Sequence, residues 1–485
     1  MYETRLQTLL ILSVGLAALG LVLFFLPGYL ATPEVLGSVI IAQIILASVC
    51  KYKKTFFLVL MLAFLWAGVR LPMDVAWLKG RWIVLAIGAL VGAAIYMRER
   101  DHRFGVIHLF ALFCVLSSLV SSSASAYPQE ALLKSLSLFL LFLYGAMGAR
   151  LAVPAFEPQK FFHKLLLGCE ITTYITCFTY FALRFPLFGN PNSLGAVMGV
   201  VVVPVIFWGF LCADAVVTRR RLGVELCIAS MLLMSSFSRA GIAAAAISCL
   251  LILIALRQYR VIVTGTAAAL IIAVLTVAFA PRPPEIEEEA QSETLTSLFL
   301  YKGKPNQGLL GSRKGTWDRT IAVIKAHPWF GSGFGTSVTD RSAMYFELTR
   351  SRFIDSRMVR EHGNSYLAIL EWSGLFGVFP FYFLVGIAAT HARKALVNLG
   401  HTRNIWAPAV PAAAIIIAGL VGAAFEDWLF ASGYYVSVFF WAMAFILADL
   451  VQPMRASHAI ESTVSFRDPQ PSLSSGLMGP SVPAQ

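Results

Sequence analysis

Two arginines stand in contexts that suit the binding of an anion. Arg239 lies in the stretch SFSRAG, residues 236–241, between two short apolar segments, and Arg313 lies in GSRKGTW, residues 311–317. A guanidinium beside glycines and a helix N-terminus can bind a diphosphate through charge and backbone donors together. The second stretch lacks the spacing of a phosphate-binding P-loop. The ordinary alternative for Arg239 is a side chain that reaches from apolar surroundings to water, but an arginine near hydrocarbon is costly unless it has an anionic partner.

The residues after Arg313 predict an amphipathic helix. Lys314 adds a second cation, and we expect it and Arg313 to precede the helix. Arg319 falls off the predicted apolar face. That face consists of Trp317, Ile321 and Ile324. A glycine-rich turn, PWFGSGFG, follows at residues 328–335.

Polar residues also mark the starts of two further predicted helices. Asn190 and Asn192 flank a proline, and Asn-Pro-Asn is in the first place a turn and a helix cap. His362 and Asn364 precede another apolar segment, and Glu371 follows Asn364 two turns later on the same face. A histidine at such a position is more often a capping or hydrogen-bonding residue than a catalyst, and both interpretations stay open.

The composition indicates that membrane helices hold these motifs. Of the 485 residues, 58% are hydrophobic and 13% are charged, whereas soluble domains carry about 25% charged residues. We therefore predict an all-α, polytopic transmembrane bundle of about fourteen helices, with twelve as the alternative count. The first segment is long for a signal peptide and is interpreted as a retained helix. The predicted segments lie near residues 6–26, 35–50, 55–69, 82–97, 104–121, 131–149, 165–183, 194–214, 222–237, 240–256, 261–280, 365–388, 405–424 and 429–449.

Basic residues alternate between the connections and so predict the orientation. One alternate set of connections holds basic clusters at residues 51–54, 98–103, 150–164, 219–221, 257–260 and 393–403. The short connections of the other set hold only Arg70, Lys79, Arg81, Arg184 and Arg239. By the positive-inside rule the first set is cytoplasmic, together with both termini.

The same alternation places residues 281–364 on the outer side as one large loop. Between residues 302 and 362 this loop has eleven Lys or Arg against five Asp or Glu. Orientation does not explain a basic outer surface, which points to an anionic partner such as phosphate or acidic sugar. The predicted organisation is transmembrane helices one to eleven at 1–280, a partly helical outer loop at 281–364, helices twelve to fourteen at 365–450 and a disordered cytoplasmic tail at 451–485.

Net charge and cysteines exclude two other classes of function. The net charge is +12, but the basic residues lie mostly in the short connections that orient a membrane protein, so we expect no nucleic-acid partner. The seven cysteines all lie in or at the edge of apolar segments. They predict neither a disulfide framework nor a metal site.

Taken in this order, the motifs resemble the O-antigen ligase and polymerase family of membrane glycosyltransferases. The family's pattern includes Asn-Pro-Asn before a helix, Ser-Arg at a helix hairpin, an arginine four residues before a tryptophan, a Pro-x-x-Gly-x-Gly turn, and histidine and asparagine before the next helix. The resemblance covers roughly residues 188–379. The matching positions are 190–192, 238–239, 313 with 317, 328–333 and 362–374. Gly363 departs from the pattern, because many members have histidine and asparagine adjacent.

The resemblance implies transfer of a glycan from an undecaprenyl-diphosphate carrier to a sugar hydroxyl, at the outer face of the bacterial cytoplasmic membrane. Arg239 and Arg313 would bind the diphosphate and stabilise the charge of the leaving group, and His362 would contact the diphosphate or take the proton of the acceptor. A sugar diphosphate is an activated donor that needs mainly charge stabilisation and positioning. Arginines supply permanent charge, so neither a metal nor a cofactor is expected. The implied substrate-binding residues are Asn190, Asn192, Ser238, Lys314, Trp317, Arg319, Asn364 and Glu371.

The motifs leave the acceptor and the wider class open. A polymerase joins one lipid-linked chain to another and a ligase moves the chain to a different acceptor, and both use the same donor chemistry. A flippase for the same lipid-linked sugars is the alternative of another class. The lack of a recognisable internal repeat and the basic outer loop favour the enzyme. A structural or sensory membrane protein is the third interpretation.

Overall fold

A computed structural model describes residues 54–66, 74–98, 104–153, 158–185, 187–188, 190–279, 311–337, 362–431 and 434–451. The predicted segments at 6–26 and 35–50, most of the predicted outer loop and the predicted tail lie outside the described residues. The chain divides into two units, Met1–Val451 and Gln452–Gln485, and every described residue belongs to the first.

The described residues form thirteen helices and no strand, as the predicted all-α class requires. Twelve of them correspond to the twelve predicted segments from 55–69 onward, and α10 lies inside the predicted outer loop. The helices are α1 Lys54–Trp66, α2 Asp74–Tyr96, α3 Val106–Ser123, α4 Pro128–Ala152, α5 Pro158–Ala182, α6 Pro191–Cys212, α7 Val216–Ser235, α8 Arg239–Ala255, α9 Tyr259–Phe279, α10 Gly311–Ala326, α11 Ser365–Thr402, α12 Ala409–Ala423 and α13 Tyr435–Val451.

Fewer helices meet the criteria for a full span than the sequence predicts. In the described part of the chain, five helices (α3, α4, α5, α6 and α11) are long and apolar enough to cross a membrane. A span needs about 20 residues, but α8 has 17 and α12 has 15. One end of each helix lies at polar residues, since α8 begins at Arg239 and α12 ends shortly before Glu426 and Asp427. For these two helices the missing length lies at the end of the bundle where polar side chains collect.

Burial separates central from peripheral helices. Along α13 every side chain from Tyr435 to Ala448 is buried, and α6 is buried over most of its length. By contrast, Leu116 on α3 and Phe379 and Phe383 on α11 are exposed. Helices that are apolar all round either fill a core or face lipid, and α3 and α11 face lipid along these surfaces.

Small residues bring the starts of α6 and α8 into direct contact. A Cβ added at Gly195 would lie 2.1 Å from the Cβ of Ser238, and one added at Gly199 would lie 2.6 Å from the Cα of Gly241. Gly195 and Gly199 form a Gly-x-x-x-Gly pair, the arrangement that lets membrane helices approach backbone to backbone. This packing places the Asn-Pro-Asn turn beside Ser238 and Arg239.

Helix α11 is broken at Gly374, where φ is 63° and ψ is −173°. The backbone groups freed by the break bond to residues 327–337, here called the docking loop, which satisfies backbone donors and acceptors that the helix leaves free. The bonds run from Ser332 N to Glu371 O (2.8 Å), Gly333 N to Trp372 O (3.2 Å), Leu375 N to Pro328 O (2.8 Å) and Phe376 N to Trp329 O (3.1 Å). The docking loop also bonds the connection between α3 and α4, through Ser125 Oγ and Thr336 Oγ1 (2.9 Å), and α4 itself, through Lys134 Nζ to Gly335 O.

An ion pair joins helices at the opposite end of the bundle. Arg150, near the C-terminal end of α4, forms two hydrogen bonds with Asp449 of α13, at 2.6 and 2.7 Å. Its guanidinium also lies 4.8 Å from the ring centroid of Tyr96. A buried arginine needs this degree of pairing, so we assign Arg150 a structural role.

Candidate active site

Arg313 forms an ion pair with Glu426 at the end of the bundle where α6, α8 and α11 begin. Its Nη2 lies 2.5 Å from Glu426 Oε1, and the side chains are 22% and 20% exposed. The helix that carries Arg313 begins at Gly311, so Arg313 and Lys314 lie in its first turn. The sequence had predicted that both residues precede the helix. A positive charge near the N-terminus of a helix is unfavourable because that end of the helix dipole is itself positive. The ion pair with Glu426 compensates for this cost at Arg313.

Gly363 provides the space for the Arg313 side chain. It has a φ of +62°, and a Cβ at this position would lie 2.7 Å from Arg313 Nη1 and 3.0 Å from Arg313 Cδ. Trp317 Nε1 donates to the Gly363 carbonyl oxygen at 3.3 Å, so α10 is attached to the same turn. Gly363, which separates His362 from Asn364, is thus the residue against which the Arg313 side chain packs.

Arg239 is the first residue of α8 and lies near Arg313. Ser238 caps the helix, because its Oγ accepts a hydrogen bond from Gly241 N at 3.3 Å. Arg239 is half-buried, and it is close enough to Arg313 for the two positive charges to repel each other. The structure therefore brings together the two arginines that the sequence assigned to one diphosphate, although 74 positions of the chain separate them.

His362 is buried, and both of its ring nitrogens have partners. The ring bonds Asp427 Oδ2 through Nδ1 at 3.2 Å and Glu371 Oε1 through Nε2 at 3.1 Å, and Ser337 Oγ lies 3.2 Å from Nε2. Its backbone N–H also donates to Asp427 Oδ2 at 2.7 Å. Burial alone would lower the pKa of His362, but the hydrogen bonds and negative charges of Asp427 and Glu371 outweigh it and raise the pKa.

The same contacts act on Asp427 in the opposite direction. Burial would raise the pKa of its carboxyl group, but the hydrogen bonds from His362 and the imidazole charge outweigh burial and lower it. His362 thus lies between the side-chain oxygens of Asp427 and Glu371, a position that favours the charged form of its imidazole. The side chain of His362 is only 1% exposed, and its predicted contact with the diphosphate or acceptor stays a prediction.

Three of the predicted substrate-binding residues are helix caps. Asn190 accepts from Asn192 N at 2.9 Å at the start of α6, as Ser238 does at the start of α8. Asn364 accepts from Tyr366 N and Leu367 N, at 2.8 and 3.1 Å, at the start of α11. These caps satisfy the free N–H groups of the first turn. Asn and Ser at these places therefore position the helices around the site.

The other residues predicted to bind substrate differ in how far their side chains are exposed. Glu371 is fully buried and bonds His362, and its predicted contact with the substrate stays a prediction. Lys314 and Arg319 are exposed on α10, and Asn192 is half-buried. The predicted apolar face of α10 is only partly covered, because Ile321 is 40% exposed whereas Thr320 is buried.

Sequence reasoning missed Glu426 and Asp427, which connect the two halves of the site. Glu426 bonds Arg313, Asp427 bonds His362, and the backbone carbonyl of Glu426 accepts from Ser365 Oγ at 2.6 Å. The available signal was two consecutive carboxylates in an otherwise apolar stretch, AAFEDWLF, between two predicted helices. Charges in such a place are costly and require partners.

Two tyrosines, Tyr434 and Tyr435, lie between the start of α6 and the carboxylates of Glu426 and Asp427. Ser193 lies close to the side chains of Tyr434 and Tyr435, whose rings stack at 4.4 Å and whose hydroxyl oxygens lie 3.2 Å apart. The hydroxyl of Tyr434 lies within the electrostatic influence of Glu426 and Asp427. All four sequence motifs therefore meet at one end of the bundle, around two arginines and the positive ends of three helix dipoles.

The apolar helices and their lipid-facing surfaces make the chain an integral membrane protein with a helical bundle. Residues 224–382, about a third of the chain, match the model of a family described as O-antigen ligase, Wzy_C. This match confirms the predicted resemblance to the O-antigen ligase and polymerase family and supports an O-antigen ligase-type function. It includes Arg239, Arg313 and His362 but excludes Asn190, Asn192 and Glu426. No match was found among curated proteins.

Proposed function

We propose that the protein transfers a glycan from a polyprenyl diphosphate to the hydroxyl of an acceptor sugar, at the outer face of the cytoplasmic membrane. The observation that carries this proposal is the proximity of Arg239 and Arg313 at the starts of two helices. Two neighbouring guanidiniums repel each other, and an anion between them removes that cost. A diphosphate suits them because each guanidinium offers paired donors to phosphate oxygens.

The arginines would accelerate the reaction by stabilising the leaving group. As the bond between the anomeric carbon and the diphosphate breaks, negative charge grows on the diphosphate oxygen. Donors already fixed in place stabilise that charge without reorganisation. The N-termini of α6, α8 and α11 add positive potential at the same end. Because this charge is permanent, the proposed reaction needs no divalent metal ion.

The other residues support this pair. His362, with Glu371 and Asp427, anchors the turn that carries Gly363, and Asn190, Ser238 and Asn364 cap the helices. Lys314 and Arg319 are exposed on α10 and stay candidates for contacts with the glycan, as does Asn192 at the turn before α6. Trp317 holds α10 against Gly363.

The test compares conservative variants of the two arginines. Arg239→Lys and Arg313→Lys keep the charge but lose the paired donors, so we expect turnover to fall on the order of 100-fold or more for each. The assay incubates purified protein with lipid-linked oligosaccharide and measures transfer per folded molecule. Separation of the products by size and by acceptor also distinguishes a polymerase from a ligase.

The matched control is Arg260→Lys on α9, at the opposite predicted end of the bundle. This variant should transfer at the wild-type rate. Near-normal transfer by both active-site variants would show that the diphosphate binds elsewhere. A wild-type protein that transfers no glycan from any lipid-linked donor would overturn the proposed function itself.

A further inference from the structure

Two glutamates lie inside the helical bundle, away from the site described above. Glu170 is on α5, one of the helices long and apolar enough to cross a membrane, and Glu225 is on α7. Apolar side chains beside them, Ile171 on α5 and Val224 on α7, are exposed and therefore face lipid. An ionisable side chain at membrane depth is costly, so it either has a partner or serves a function.

The two glutamates differ in how they are paired. Glu170 Oε1 accepts a hydrogen bond from Arg221 Nη2 at 3.0 Å. Glu225 is 0% exposed, and in the described part of the chain neither of its carboxyl oxygens has a hydrogen-bond partner. The two carboxyl groups are close enough for their charges to interact, and Arg221 acts on both. A buried carboxyl group without a partner is much less costly when it is neutral.

The polar groups run from the surface inward. The side chain of Arg221 is 55% exposed and that of Glu170 is 9% exposed, whereas Glu225 is fully buried. Arg221 belongs to the basic cluster 219–221, which the positive-inside rule assigns to the cytoplasmic side. Glu170 therefore lies between the water-exposed arginine and the buried carboxyl group.

We propose that Glu170 and Glu225 form a proton-binding site, in which Glu225 carries the proton and exchanges it with the predicted cytoplasmic side through Glu170. A proton passes from water to the carboxylate of Glu170 and then to that of Glu225, so that only O–H bonds form and break. Arg221 then balances the one remaining charge. Among the described residues, no group of three or more His, Cys, Asp or Glu could hold a metal ion, so a proton is the cation that suits this pair. The site goes beyond the proposed function and does not involve the diphosphate.

The first experiment detects the protonated carboxyl group by infrared spectroscopy of the purified protein in detergent. The carbonyl band of a carboxylic acid is separate from the bands of carboxylates. At neutral pH the difference between wild type and Glu225→Gln should contain this acid band, which should disappear as the pH is raised. Asp214→Asn removes an exposed carboxylate just before α7 and, as the matched control, should leave the band in place. A difference spectrum with carboxylate bands alone at neutral pH would overturn the proposal.

Glu170→Gln tests whether the two carboxyl groups form one site. The amide still accepts a hydrogen bond from Arg221 but has no charge, so the arginine acts on Glu225 without a competing carboxylate. The acid band should therefore disappear at a lower pH than in the wild type. Its exchange in heavy water should also be slower, because the amide passes on no proton. An unchanged titration contradicts the shared site, and an unchanged exchange rate contradicts the route through Glu170.

Thermal stability gives a second readout. Loss of the proton leaves a buried charge on Glu225 without a hydrogen-bond partner, so the wild type should lose stability as the pH rises. Glu225→Gln has the shape of the protonated form, so it should be at least as stable at neutral pH and should lack this decline. The charged and titratable groups that interact with Glu225 are Cys169, Glu170, Tyr174 and Arg221. A Glu225→Gln protein that is unstable or does not fold would show that the negative charge is needed, which contradicts the proposal.

A comparison of salts distinguishes a proton from an alkali cation. Either one neutralises the carboxylate of Glu225, but sodium would displace the proton. The acid band should be the same in sodium chloride and in choline chloride at one pH. Loss of the band in sodium chloride alone would identify an alkali cation as the ligand and overturn the assignment of a proton. Since none of these measurements uses glycan transfer, their outcome is independent of the proposed function.

Discussion

The glycine between His362 and Asn364 stands where a side chain would displace an arginine. Gly363 has a left-handed backbone conformation, and Arg313 packs directly against it. His362 and Asn364 on either side are both fixed, one by carboxylates and one as a helix cap. The turn therefore has no freedom to move away from a larger residue. This makes residue 363 a test of where Arg313 must lie.

We predict that Gly363→Ala lowers turnover by about 10-fold to 100-fold while the protein stays folded. The left-handed conformation costs an alanine roughly 1 kcal/mol, which a bundle tolerates. Displacement of the guanidinium by its new neighbour is the more serious effect, because small errors in position reduce rates strongly. Transfer per folded molecule and thermal stability measure the two effects separately.

Gly315→Ala is the control for this prediction. Gly315 lies on the same helix as Arg313, and nothing lies within 4 Å of a Cβ added there. Its replacement should leave turnover unchanged. Equal turnover for the Gly363 variant would show that the position of Arg313 in this structure is not the one used in the reaction.

The sequence identified most of the residues that meet at this end, but it did not separate their roles. Asn190, Ser238 and Asn364 have residue types that suit both substrate binding and helix capping, and only the distances show that they cap. His362 likewise needed its partners to be known, because Asp427 lies 65 positions away. Glu426 was missed because no local pattern connects it with Arg313.

At the scale of elements, the broken helix α11 determines where Glu371 and His362 lie. The docking loop fills the break with four backbone hydrogen bonds, and a Cβ at Gly374 would lie 2.4 Å from Trp329 O and 2.5 Å from Gly331 N. Hydropathy predicted a continuous segment at 365–388, since a break inside an apolar run does not change its composition. The helices themselves follow from apolar length, whereas the break depends on a partner loop that is distant in sequence.

We predict that Gly374→Ala destabilises the protein by roughly 3 kcal/mol or more. The backbone conformation of Gly374 is essentially restricted to glycine and costs another residue about 1–3 kcal/mol, and each backbone hydrogen bond lost in the break costs about 1 kcal/mol further. Thermal unfolding in detergent and the folded yield measure this loss. Gly386→Ala, on the same helix with nothing within 4 Å of the added Cβ, should behave as the wild type. Equal stability of the two variants would show that the docking loop does not depend on the break.

At the scale of the molecule, the connections group by end as the alternation predicts, while the side of the membrane on which each group lies stays a prediction. The connections before α6, α8, α11 and α13 all belong to the set predicted to lie on the outer side, and they meet around Arg313 and Glu426. Arg150 and Asp449, whose connections belong to the basic set, meet at the opposite end. Under the proposed function, this orientation would place the site for the lipid-linked donor on the outer side of the membrane.

The last prediction tests this sidedness directly. In a variant without its native cysteines, Ser292→Cys should react with a membrane-impermeant thiol reagent added to intact cells from outside, whereas Thr218→Cys should not. Ser292 lies in the predicted outer loop, outside the described residues, and Thr218 is exposed near the start of α7, beside the basic cluster 219–221. Basic residues are retained on the cytoplasmic side during insertion, so that cluster should place Thr218 inside. Permeabilised cells provide the control, because both cysteines should then react. The opposite pattern in intact cells would place Arg239, Arg313 and Glu426 in the cytoplasm, where a donor would not have to cross the membrane before transfer.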